Sequence, residues 1–558
     1  MKKWICGSFA IVVAVLGHAA EPAQKPGHAA IASAHKLATE AGFEALAQGG
    51  NAFDAAVAVA AALAVVEPQS SGIGGGGLFL LHRASDGKDT LIDARERAPA
   101  ATDPKDYLDA KGDLDADKSR NGPSAAAIPG EVAGIVWLAQ KYGKLPLSKS
   151  LAPAIRIARE GFAADARFLD GIAERVDVIK RYPASAALYL DHGVAPKPGW
   201  IFKTPDLAHT LELIAAHGND GFYHGEMAQK LVDGVNAVGG KWSLQDLAGY
   251  EAKEREPLAF DYRGWHVVTA PPPSSGGIVL EEMLNILGGY ELGKLDRVHR
   301  THLIVESMRR AYRDRAAYLG DPDYVKMPIA ELTSPLYAAG LRASIHPEKA
   351  TPSDMLPGYL DVKERDHTSH FSIIDADGNL VSGTQTVNLD LGDALVVAGT
   401  GFVMNDEMDD FALKAGAPNA FGLVGNDANA PKPGHRPLSS MTPTFVLGAD
   451  RIGVIGTPGG SRIITMVLEG VLAFIDGQLP EQIVANPRYH HQYLPDVVSV
   501  EKGAFSAEEI KALEAMGHKI NEASRQWGFM NVVSWDRKSG KLYAGSDSRR
   551  ASGSGMVK

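Results

Sequence analysis

The chain has 558 residues, of which 45% are hydrophobic and 22% are charged, and its formal net charge is -11. This length predicts roughly two to four ordinary domains, or one large core of helices and strands. The acidic balance and the lack of any basic run in the sequence exclude the usual kind of nucleic-acid-binding surface.

The N-terminus has the pattern of a secretory signal peptide. Two lysines precede an apolar stretch at residues 8–16, which is too short to span a bilayer, and small residues follow it. Cleavage after Ala19 or Ala20 is expected, so residues 1–20 form the predicted signal; the alternative is an uncleaved anchor. The only cysteine is Cys6. The mature chain would therefore have no thiol for disulfides, catalysis or metal binding.

The first part of the globular chain is predicted to mix strands and helices. Its patterns predict strands at 29–33, 78–81 and 91–94 and helices at 34–48 and 52–65. The second helix is apolar on all sides, which indicates burial, and Asn51 can cap its start. Residues 72–77 are rich in glycine, but no Lys-Ser/Thr pair follows, so close backbone packing is favoured over a phosphate site. Arg95, at a strand end, fits either a ligand carboxylate or a surface pair with Glu96.

The middle of the chain is predicted to be mainly helical scaffold. Helices are predicted at 131–142, 147–160, 163–180, 205–217, 225–238, 244–249, 278–287 and 299–319, with a strand at 265–270. The turn at 271–277 contains serine and glycine but lacks the Gly-x-Ser-x-Gly spacing of a nucleophile elbow. Residues 347–357 have the composition of an exposed linker. Cleavage of the chain at a hydroxyl nucleophile shortly after them would need such a segment.

A β-hairpin is predicted just past the middle of the chain. Asp377 and Gly378 separate two apolar runs, which is a strong hairpin signal. With a three-residue loop at 377–379, Thr368 lies opposite Asn388 and Thr386 is one pleat away on the same face; a two-residue loop would reverse the faces. This pattern fits a catalytic site or an ordinary Thr-rich edge hairpin, and the stretch by itself favours the ordinary hairpin.

An acidic turn follows a predicted strand at residues 401–405. Four carboxylates between residues 406 and 410 can bind a metal or an ammonium group, or can form a solvated turn. The spacing of octahedral metal ligands is absent, which favours an ammonium partner. The next segment, residues 412–437, is rich in Gly, Pro and Asn and is predicted to be a long loop, either functional or disordered.

A glycine pair farther along the chain is suited to an anion. Gly459 and Gly460 lie between a predicted strand and a helix at residues 463–475. Backbone N–H groups at such a turn can stabilise an oxyanion. His490 and His491 are adjacent on a strand and would point in opposite directions, which disfavours a shared metal ion.

Taken in order, these motifs resemble those of the γ-glutamyltranspeptidases, a family of N-terminal-nucleophile hydrolases. The similarity runs from about residue 27 to about residue 552 and rests on segments 72–77, 95–99, 271–277, 368–372, 408–411, 436–441 and 458–462. It implies an α+β fold, a four-layer αββα sandwich, built from large and small subunits of one cleaved precursor. Cleavage between His367 and Thr368 would leave residues 21–367 and residues 368–558 as two subunits of one intertwined domain.

The resemblance also implies a role for each of several site residues. The implied catalytic residues are the nucleophile Thr368, its neighbour Thr386, and the oxyanion donors Gly459 and Gly460. The implied substrate-binding residues are Arg95, Ser439 and Ser440 at the α-carboxylate, and Asn388, Glu407 and Asp410 at the α-ammonium group. A threonine hydroxyl is a weak nucleophile, and the α-amine freed by cleavage, with a reference pKa of about 8, can take its proton. No metal or organic cofactor is expected.

The implied function is that of a periplasmic or secreted γ-glutamyltransferase and glutathione hydrolase. The nucleophile would attack the γ-glutamyl amide of glutathione or a related compound, and the γ-glutamyl-enzyme would pass to water or to an amino acid or dipeptide. One alternative is a glutaryl or β-lactam side-chain acylase of the same superfamily; its substrates lack the α-ammonium group, so the intact ammonium set argues against it. The other is a non-processing γ-glutamyl-compound binding protein. No nucleic-acid partner is expected, and no membrane after signal cleavage.

Three positions depart from the family's usual pattern. Ser369 replaces a second threonine, and Glu407 stands where some relatives have glutamine. Phe421 stands where bacterial relatives often have a tyrosine over the site. We expect Glu407 to strengthen ammonium binding, and we expect the loss of a phenol hydrogen bond at Phe421 to loosen the loop at 412–437.

Overall fold

The computed structural model describes residues 25–356 and 368–558. The predicted signal, residues 1–20, and the predicted cleavage position His367 lie outside the described residues. The strands are β1 (Ala30–Ser33), β2 (Gly76–Arg83), β3 (Lys88–Ala94), β4 (Phe162–Ala163), β5 (Ile201–Phe202), β6 (Lys253–Arg255), β7 (Leu258–Tyr262), β8 (Trp265–Thr269), β9 (Ser369–Ile374), β10 (Leu380–Thr386), β11 (Thr444–Leu447), β12 (Arg451–Gly456), β13 (Tyr489–His490), β14 (Val498–Val500), β15 (Ile520–Glu522), β16 (Asn531–Asp536), β17 (Leu542–Ser546) and β18 (Ser554–Val557).

The helices alternate with these strands, and most of them lie before residue 356. They are α1 (Lys36–Ala47), α2 (Ala52–Val66), α3 (Ala116–Arg120), α4 (Glu131–Lys141), α5 (Leu147–Glu160), α6 (Ala166–Ile179), α7 (Pro183–Tyr189), α8 (Pro205–His217), α9 (Asp220–Tyr223), α10 (Gly225–Ala237), α11 (Leu244–Ala248), α12 (Gly276–Leu287), α13 (Arg297–Tyr318), α14 (Ile329–Leu332), α15 (Pro335–Ala343), α16 (Ile463–Ile475), α17 (Pro480–Ala485) and α18 (Ala507–Ala515). The predicted scaffold helices lie close to their predicted positions. Within residues 25–356 and 368–558, no helix has the length and apolarity needed to cross a bilayer.

The central layer nearest the N-terminus is a seven-stranded sheet, counted over the described residues. Its order is β18-β1-β9-β10-β2-β3-β6, and its neighbouring strands are antiparallel. In this sheet β1 lies between β18 and β9, and β10 pairs with β2, so strands from before residue 356 and from after residue 368 are interleaved. The two parts of the chain therefore share backbone hydrogen bonds and cannot separate without breaking the sheet.

A second sheet packs against the first and completes the sandwich. Over the same described ranges it has six strands, in the order β17-β16-β12-β11-β8-β7. The Ser372 hydroxyl on β9 donates to the Asn531 carbonyl on β16 at 3.0 Å, so the two sheets face each other. Apolar clusters lie between the first sheet and α1, α2, α4 and α5, and between the second sheet and α12, α13 and α16. The predicted α+β class and αββα layering are confirmed.

Helix α2 forms the centre of the first helical layer. Every residue of α2 is buried, as its uniformly apolar sequence predicts. The Asn51 side chain accepts hydrogen bonds from the N–H groups of Phe53 and Asp54 at 3.0 and 3.1 Å. The Asp54 carboxylate accepts from the Asn51 N–H in return, which is a capping box. Helix α2 ends at Val66, and its C-cap residue Glu67 contacts Ser369 at the start of β9.

The β9–β10 hairpin forms as predicted, but its turn closes one residue earlier. The N–H of Asp375 donates to the Asn379 carbonyl at 3.1 Å, so the loop is residues 376–378 and not 377–379. The Asp375 carboxylate accepts from the N–H groups of Asp377 and Asn379, each at 2.9 Å. A carboxylate that bonds to its own downstream backbone in this way defines an Asx-type turn. The sequence analysis overlooked this interaction.

The corrected register changes which residue faces the predicted nucleophile. Ser369 pairs with Gln385, so the next pair outward joins Thr368 to Thr386. The prediction that Asn388 lies opposite Thr368 is therefore wrong, because the residue opposite Thr368 is Thr386, two positions earlier in the chain. Because the shift keeps the parity of the ladder, the two threonines remain on one face of the sheet.

The glycine run before β2 is a site of close backbone contact, as predicted. A Cβ atom on Gly75 would lie 1.9 Å from the Thr386 carbonyl oxygen, and one on Gly74 would lie 2.1 Å from the Val403 carbonyl oxygen. These distances leave no room for a side chain. Glycine therefore lets the segment that leads into β2 lie directly against the end of β10.

Two predictions for the surroundings of the hairpin need correction. Residues 401–405 are not a strand; among the described residues they take part in one isolated bridge, between Val396 and Val403. The predicted linker has mainly exposed side chains, but it is anchored. Ser353 is buried, and the Thr351 hydroxyl donates to the buried Glu306 carboxylate at 2.6 Å. Residue 357 of this linker lies outside the described residues.

Gly75→Ala is expected to destabilise the protein by about 2 kcal/mol, because the new methyl group collides with fixed backbone. Gly340→Ala is the matched control, since no atom lies within 4 Å of a Cβ at that position in α15. The control should stabilise by up to about 1 kcal/mol, because alanine favours helix. Urea unfolding midpoints measure both changes. Equal shifts in the two variants would contradict the contact described above.

Candidate active site

One cavity collects nine of the ten predicted site residues. It is lined by Arg95, Thr368, Thr386, Asn388, Glu407, Asp410, Phe421, Leu423, Ser439, Ser440, Met441, Gly460 and Ile463. The tenth residue, Gly459, precedes Gly460 and is not among the lining residues. The cavity has a volume of about 20 Å³, which is room for about one water molecule. A larger ligand therefore needs an opening of the covering residues Phe421 and Leu423.

The hydroxyl groups of two threonines meet at the end of the hairpin. Thr368 Oγ1 lies 3.3 Å from Thr386 Oγ1, and both residues are almost fully buried. The Thr386 hydroxyl also accepts a hydrogen bond from the Asn388 N–H at 2.9 Å. Thr386 is therefore held from one side and is free to interact with the Thr368 hydroxyl on the other.

The backbone around these hydroxyls is in unusual conformations. Thr368 has a φ of 146°, and Asn388 has a φ of 75°. The Thr368 value costs a β-branched residue on the order of 1–3 kcal/mol, and it persists only where the surroundings enforce it. The Asn388 side chain is fixed by donation to the Asp406 carbonyl at 2.9 Å.

Arg95 is a buried cation at the centre of the acidic turn. It follows β3 and is 1% exposed, so the alternative of a surface arginine is wrong. One guanidinium nitrogen pairs with Glu407, and the other lies 2.5 Å from Asp410 Oδ2. The same guanidinium donates to the Pro437 carbonyl at 3.2 Å and lies 3.5 Å from Glu96. The structure thus joins residues that the sequence separates by more than 300 positions.

The carboxylates around Arg95 outnumber the single guanidinium that they share. Burial raises the pKa of Glu407 well above its usual value, although Arg95 partly opposes this. Burial likewise raises the pKa of Asp410, and it raises the pKa of Glu96 to about 7. Each of these carboxyl groups therefore binds a proton more readily than it would in water. A cationic ligand would shift them towards ionisation.

The two serines lie opposite the acidic turn. The Ser440 hydroxyl accepts a hydrogen bond from Arg315 at 3.2 Å, and Arg315 also donates to the Ser275 hydroxyl at 2.9 Å. The Ser439 N–H donates to the Pro273 carbonyl at 2.8 Å. Burial lowers the pKa of Arg315 to about 10. The sequence analysis missed Arg315, although an arginine on the buried face of a long helix was an available signal.

The loop at residues 412–437 covers the cavity, as a functional loop would. Its regular structure is one short 3-10 turn at Asp427–Asn429. The Phe421 side chain is 3% exposed and lies against Gly460, and the Phe421 carbonyl accepts from Gln492 at 3.2 Å. Asn419 donates to Asp410 at 2.9 Å and so ties this loop to the acidic turn.

The glycine turn meets the cavity at the start of α16. Gly459 has a φ of 144° and Gly460 a φ of 55°, which glycine adopts without a side-chain clash. Gly460 and Thr368 both line the cavity. The turn is thus placed to present backbone N–H groups at the start of a helix.

The four-layer fold, with a threonine at the start of a central strand, defines the class of N-terminal-nucleophile hydrolases. Within this class, the family model described as gamma-glutamyltranspeptidase matches residues 38–557. The chain belongs to the γ-glutamyltranspeptidase family.

Individual relatives include both glutathione hydrolases and an acylase. The glutathione hydrolase proenzyme of Pseudomonas sp. (strain A14) is 44% identical over 495 residues, which cover 88% of this chain and 86% of that protein. The glutathione hydrolase proenzyme of Escherichia coli (strain K12) is 42% identical over 525 residues, which cover 93% and 90%. The crystal structure of cephalosporin acylase from Bacillus halodurans has a TM-score of 0.83 at 29% identity and covers 100% of this chain and 98% of that chain. The fold by itself therefore does not separate the two activities.

Glu96→Gln should flatten the dependence of stability on pH. The folded-state pKa of Glu96 is raised to about 7 from 4.5, so its contribution to stability is complete below about pH 4.5 and is lost as the pH rises through about 7. The wild-type protein should lose on the order of 2–3 kcal/mol more than the variant over this range. Thermal unfolding at several pH values measures the difference. The exposed Glu331→Gln should keep the wild-type slope, and a wild-type slope in Glu96→Gln would count against the assignment.

Proposed function

We propose that this γ-glutamyltranspeptidase family enzyme cleaves γ-glutamyl amides with Thr368 as its nucleophile. The observation that carries the proposal is the meeting, in one cavity, of the Thr368 hydroxyl with a buried cation and a set of carboxylates. A hydroxyl nucleophile with charged groups fixed nearby suits a substrate that is charged at one end and reactive at the other.

The nucleophile becomes active through cleavage of the chain between His367 and Thr368. The Thr368 hydroxyl attacks the preceding carbonyl carbon, and the peptide C–N bond breaks as the ester forms, which frees the α-amine. Water then hydrolyses the ester, which releases the new carboxylate of the large subunit and restores the Thr368 hydroxyl. The unusual φ of Thr368 supports this step, because cleavage removes the residue that defines the angle and so releases its strain. The products are a large subunit, residues 21–367 after removal of the signal, and a small subunit, residues 368–558.

The charged residues of the cavity hold the amino-acid end of the substrate. Arg95 binds the α-carboxylate with Ser439 and Ser440, and Asp410 binds the α-ammonium group with Asn388 and Glu407. Both substrate groups are attached to one carbon, so their partners must be neighbours, and the contact between Arg95 and Asp410 meets this condition. A bound zwitterion would replace that internal ion pair with two pairs to the ligand.

The bond-making steps follow from this arrangement. The Thr368 hydroxyl adds to the γ-carbonyl carbon while the α-amine takes its proton, and Thr386 orients the hydroxyl. The N–H groups of Gly459 and Gly460 stabilise the oxyanion that forms. The C–N bond then breaks and the amine leaves with the proton. The γ-glutamyl ester finally passes to water, or to the amino group of an amino acid or dipeptide.

Glutathione is the substrate that we infer first. The relatives at 44% and 42% identity are named glutathione hydrolase proenzymes. The predicted signal at residues 1–20 supports a periplasmic or secreted enzyme. An acylase activity is the second candidate, because the cephalosporin acylase shares the fold. The carboxylates of the acidic turn favour the first candidate, since a glutaryl group offers them no cation.

The purified protein should consist of two fragments, with masses that match residues 21–367 and 368–558. Thr368→Ala should stay as one chain without activity, because both cleavage and catalysis need its hydroxyl. Denaturing gels and intact mass spectrometry measure the cleavage. A single uncut wild-type chain would refute the proposed mechanism and favour a binding protein.

Asp410→Asn should lower kcat/KM for a γ-glutamyl anilide by roughly 30-fold to several thousand-fold, because a desolvated ion pair is worth about 2–5 kcal/mol. The glutaryl anilide, which lacks the ammonium group, should not show this loss. Asp450→Asn, an exposed change on the β11–β12 turn, is the matched control and should leave both rates unchanged. Equal losses on the two substrates would contradict the ammonium role of Asp410.

A further inference from the structure

The residue after the proposed nucleophile points to the opposite side of the sheet. Side chains alternate along β9, so the Ser369 side chain faces away from the cavity that holds Thr368. The Ser369 hydroxyl donates to Glu67 Oε2 at 2.5 Å. Ser369 and Glu67 are both fully buried. A buried carboxylate thus binds the strand one residue beyond the proposed cleavage point.

Glu67 is held rigidly from its own side. It caps the C-terminal end of α2, and its carbonyl accepts from the N–H groups of Ser70 and Ser71 at 2.9 and 3.1 Å. Its second carboxylate oxygen lies 3.4 Å from a guanidinium nitrogen of Arg550. Helix α2 is buried along its whole length, so this carboxylate has little freedom to follow a moving strand.

The strain at Thr368 needs such a support. Its φ of 146° lies in a region that β-branched residues avoid, and such conformations persist only where neighbouring contacts enforce them. Thr386 contacts the Thr368 side chain from one side of the sheet. Glu67, through Ser369, fixes the next backbone unit from the other side.

We propose that Glu67 is a positioning residue, which acts through Ser369 to hold Thr368 in the conformation needed for self-cleavage and for attack on substrate. The inference rests on the proposed function of Thr368. Loss of the hydrogen bond would let the first unit of β9 relax, and the Thr368 hydroxyl would then spend less time aligned with its target carbonyl. Neither Glu67 nor Ser369 contacts the substrate in this scheme.

The positioning of Ser369 by the Glu67 carboxylate is expected to depend on pH. Burial raises the pKa of Glu67 to about 6, and the Arg550 charge and the Ser369 hydrogen bond partly oppose this. The other charged groups that act on Glu67 are Asp165 and Arg167, and Arg167 lies 2.5 Å from Asp390. As the pH falls through about 6, Glu67 becomes protonated and its ion pair with Arg550 is lost.

Solvent has a route to this network. Arg167, Asp390 and Arg550 line a cavity of about 730 Å³. Protons can therefore exchange with the partners of Glu67 without unfolding of α2. The ionised form of Glu67 should dominate above about pH 6 and the neutral form below it.

The test follows self-cleavage of full-length precursor made by cell-free translation and chased between about pH 5 and about pH 8. Glu67→Gln keeps the side-chain volume without the charge. Ser369→Ala removes the donor, and Ser369→Thr keeps it. Ser372→Ala is the matched control, because it loses a buried hydrogen bond on the same strand but on the other face.

Ser369→Ala and Glu67→Gln should cleave roughly ten- to a hundredfold more slowly than wild type at about pH 7.5, since hydrogen bonds to charged groups are worth about 1.5–3 kcal/mol. Ser369→Thr and Ser372→Ala should cleave at the wild-type rate. The wild-type cleavage rate should decrease as the pH is lowered through about 6, and Glu67→Gln should not show this decrease. A merely structural role of Glu67 would not produce this difference in pH dependence.

Three results would overturn the inference. These are wild-type cleavage rates in Ser369→Ala, an unchanged inflection in Glu67→Gln, or a slow Ser369→Thr variant. Ser369→Ala keeps the assay informative if Glu67→Gln does not fold. Failure of the wild-type chain itself to cleave would instead refute the proposed function, so the two failures are distinguishable.

Discussion

The antiparallel pairing of β9 with β10 is the constraint on which the site depends. The ladder ends with Ser369 opposite Gln385, so the two threonines beyond it must meet, and their hydroxyl oxygens lie 3.3 Å apart. Both strands are internal to the sheet, since β1 flanks β9 and β2 flanks β10. A strand with partners on both sides cannot shift its register without breaking two ladders. The position of the hydroxyl pair is therefore a property of the whole sheet.

The second constraint is the placement of one buried cation among several acids. Arg95 contacts Glu407 and Asp410, and Glu96 lies close by. Burial of charge is costly, and an apolar replacement of such a cluster is often at least as stable. A cluster of this kind is best explained by a ligand that carries charges of its own. Burial raises the pKa of Glu407 and of Asp410, so a cation bound beside them would favour their ionised forms.

Local patterns were sufficient to predict most of the helices and strands. The apolar sequence of α2 and the capping residue Asn51 needed no tertiary information. The turn of the central hairpin was misplaced because Asp375 bonds to its own downstream backbone, and this bond competes with the Asp-Gly signal. The strand predicted at 401–405 failed for another reason, since its β-rich composition found no partner strand among the described residues. Glu67 was missed because nothing in its local sequence relates it to residues far along the chain, and Arg315 was missed although its place on the buried face of a long helix was a signal.

The sequence by itself determined the family, the layered fold class and most of the residues that line the cavity. Each of these follows from short motifs whose order along the chain is visible without coordinates. Only the tertiary structure decided that Thr386 and not Asn388 faces Thr368, that Arg95 pairs with the acidic turn, and that Glu67 reaches Ser369. The physical reason is the sequence separation over which each kind of interaction acts. Turn chemistry and periodicity act over a few residues, whereas these contacts join residues up to 315 positions apart and depend on strand order and helix packing.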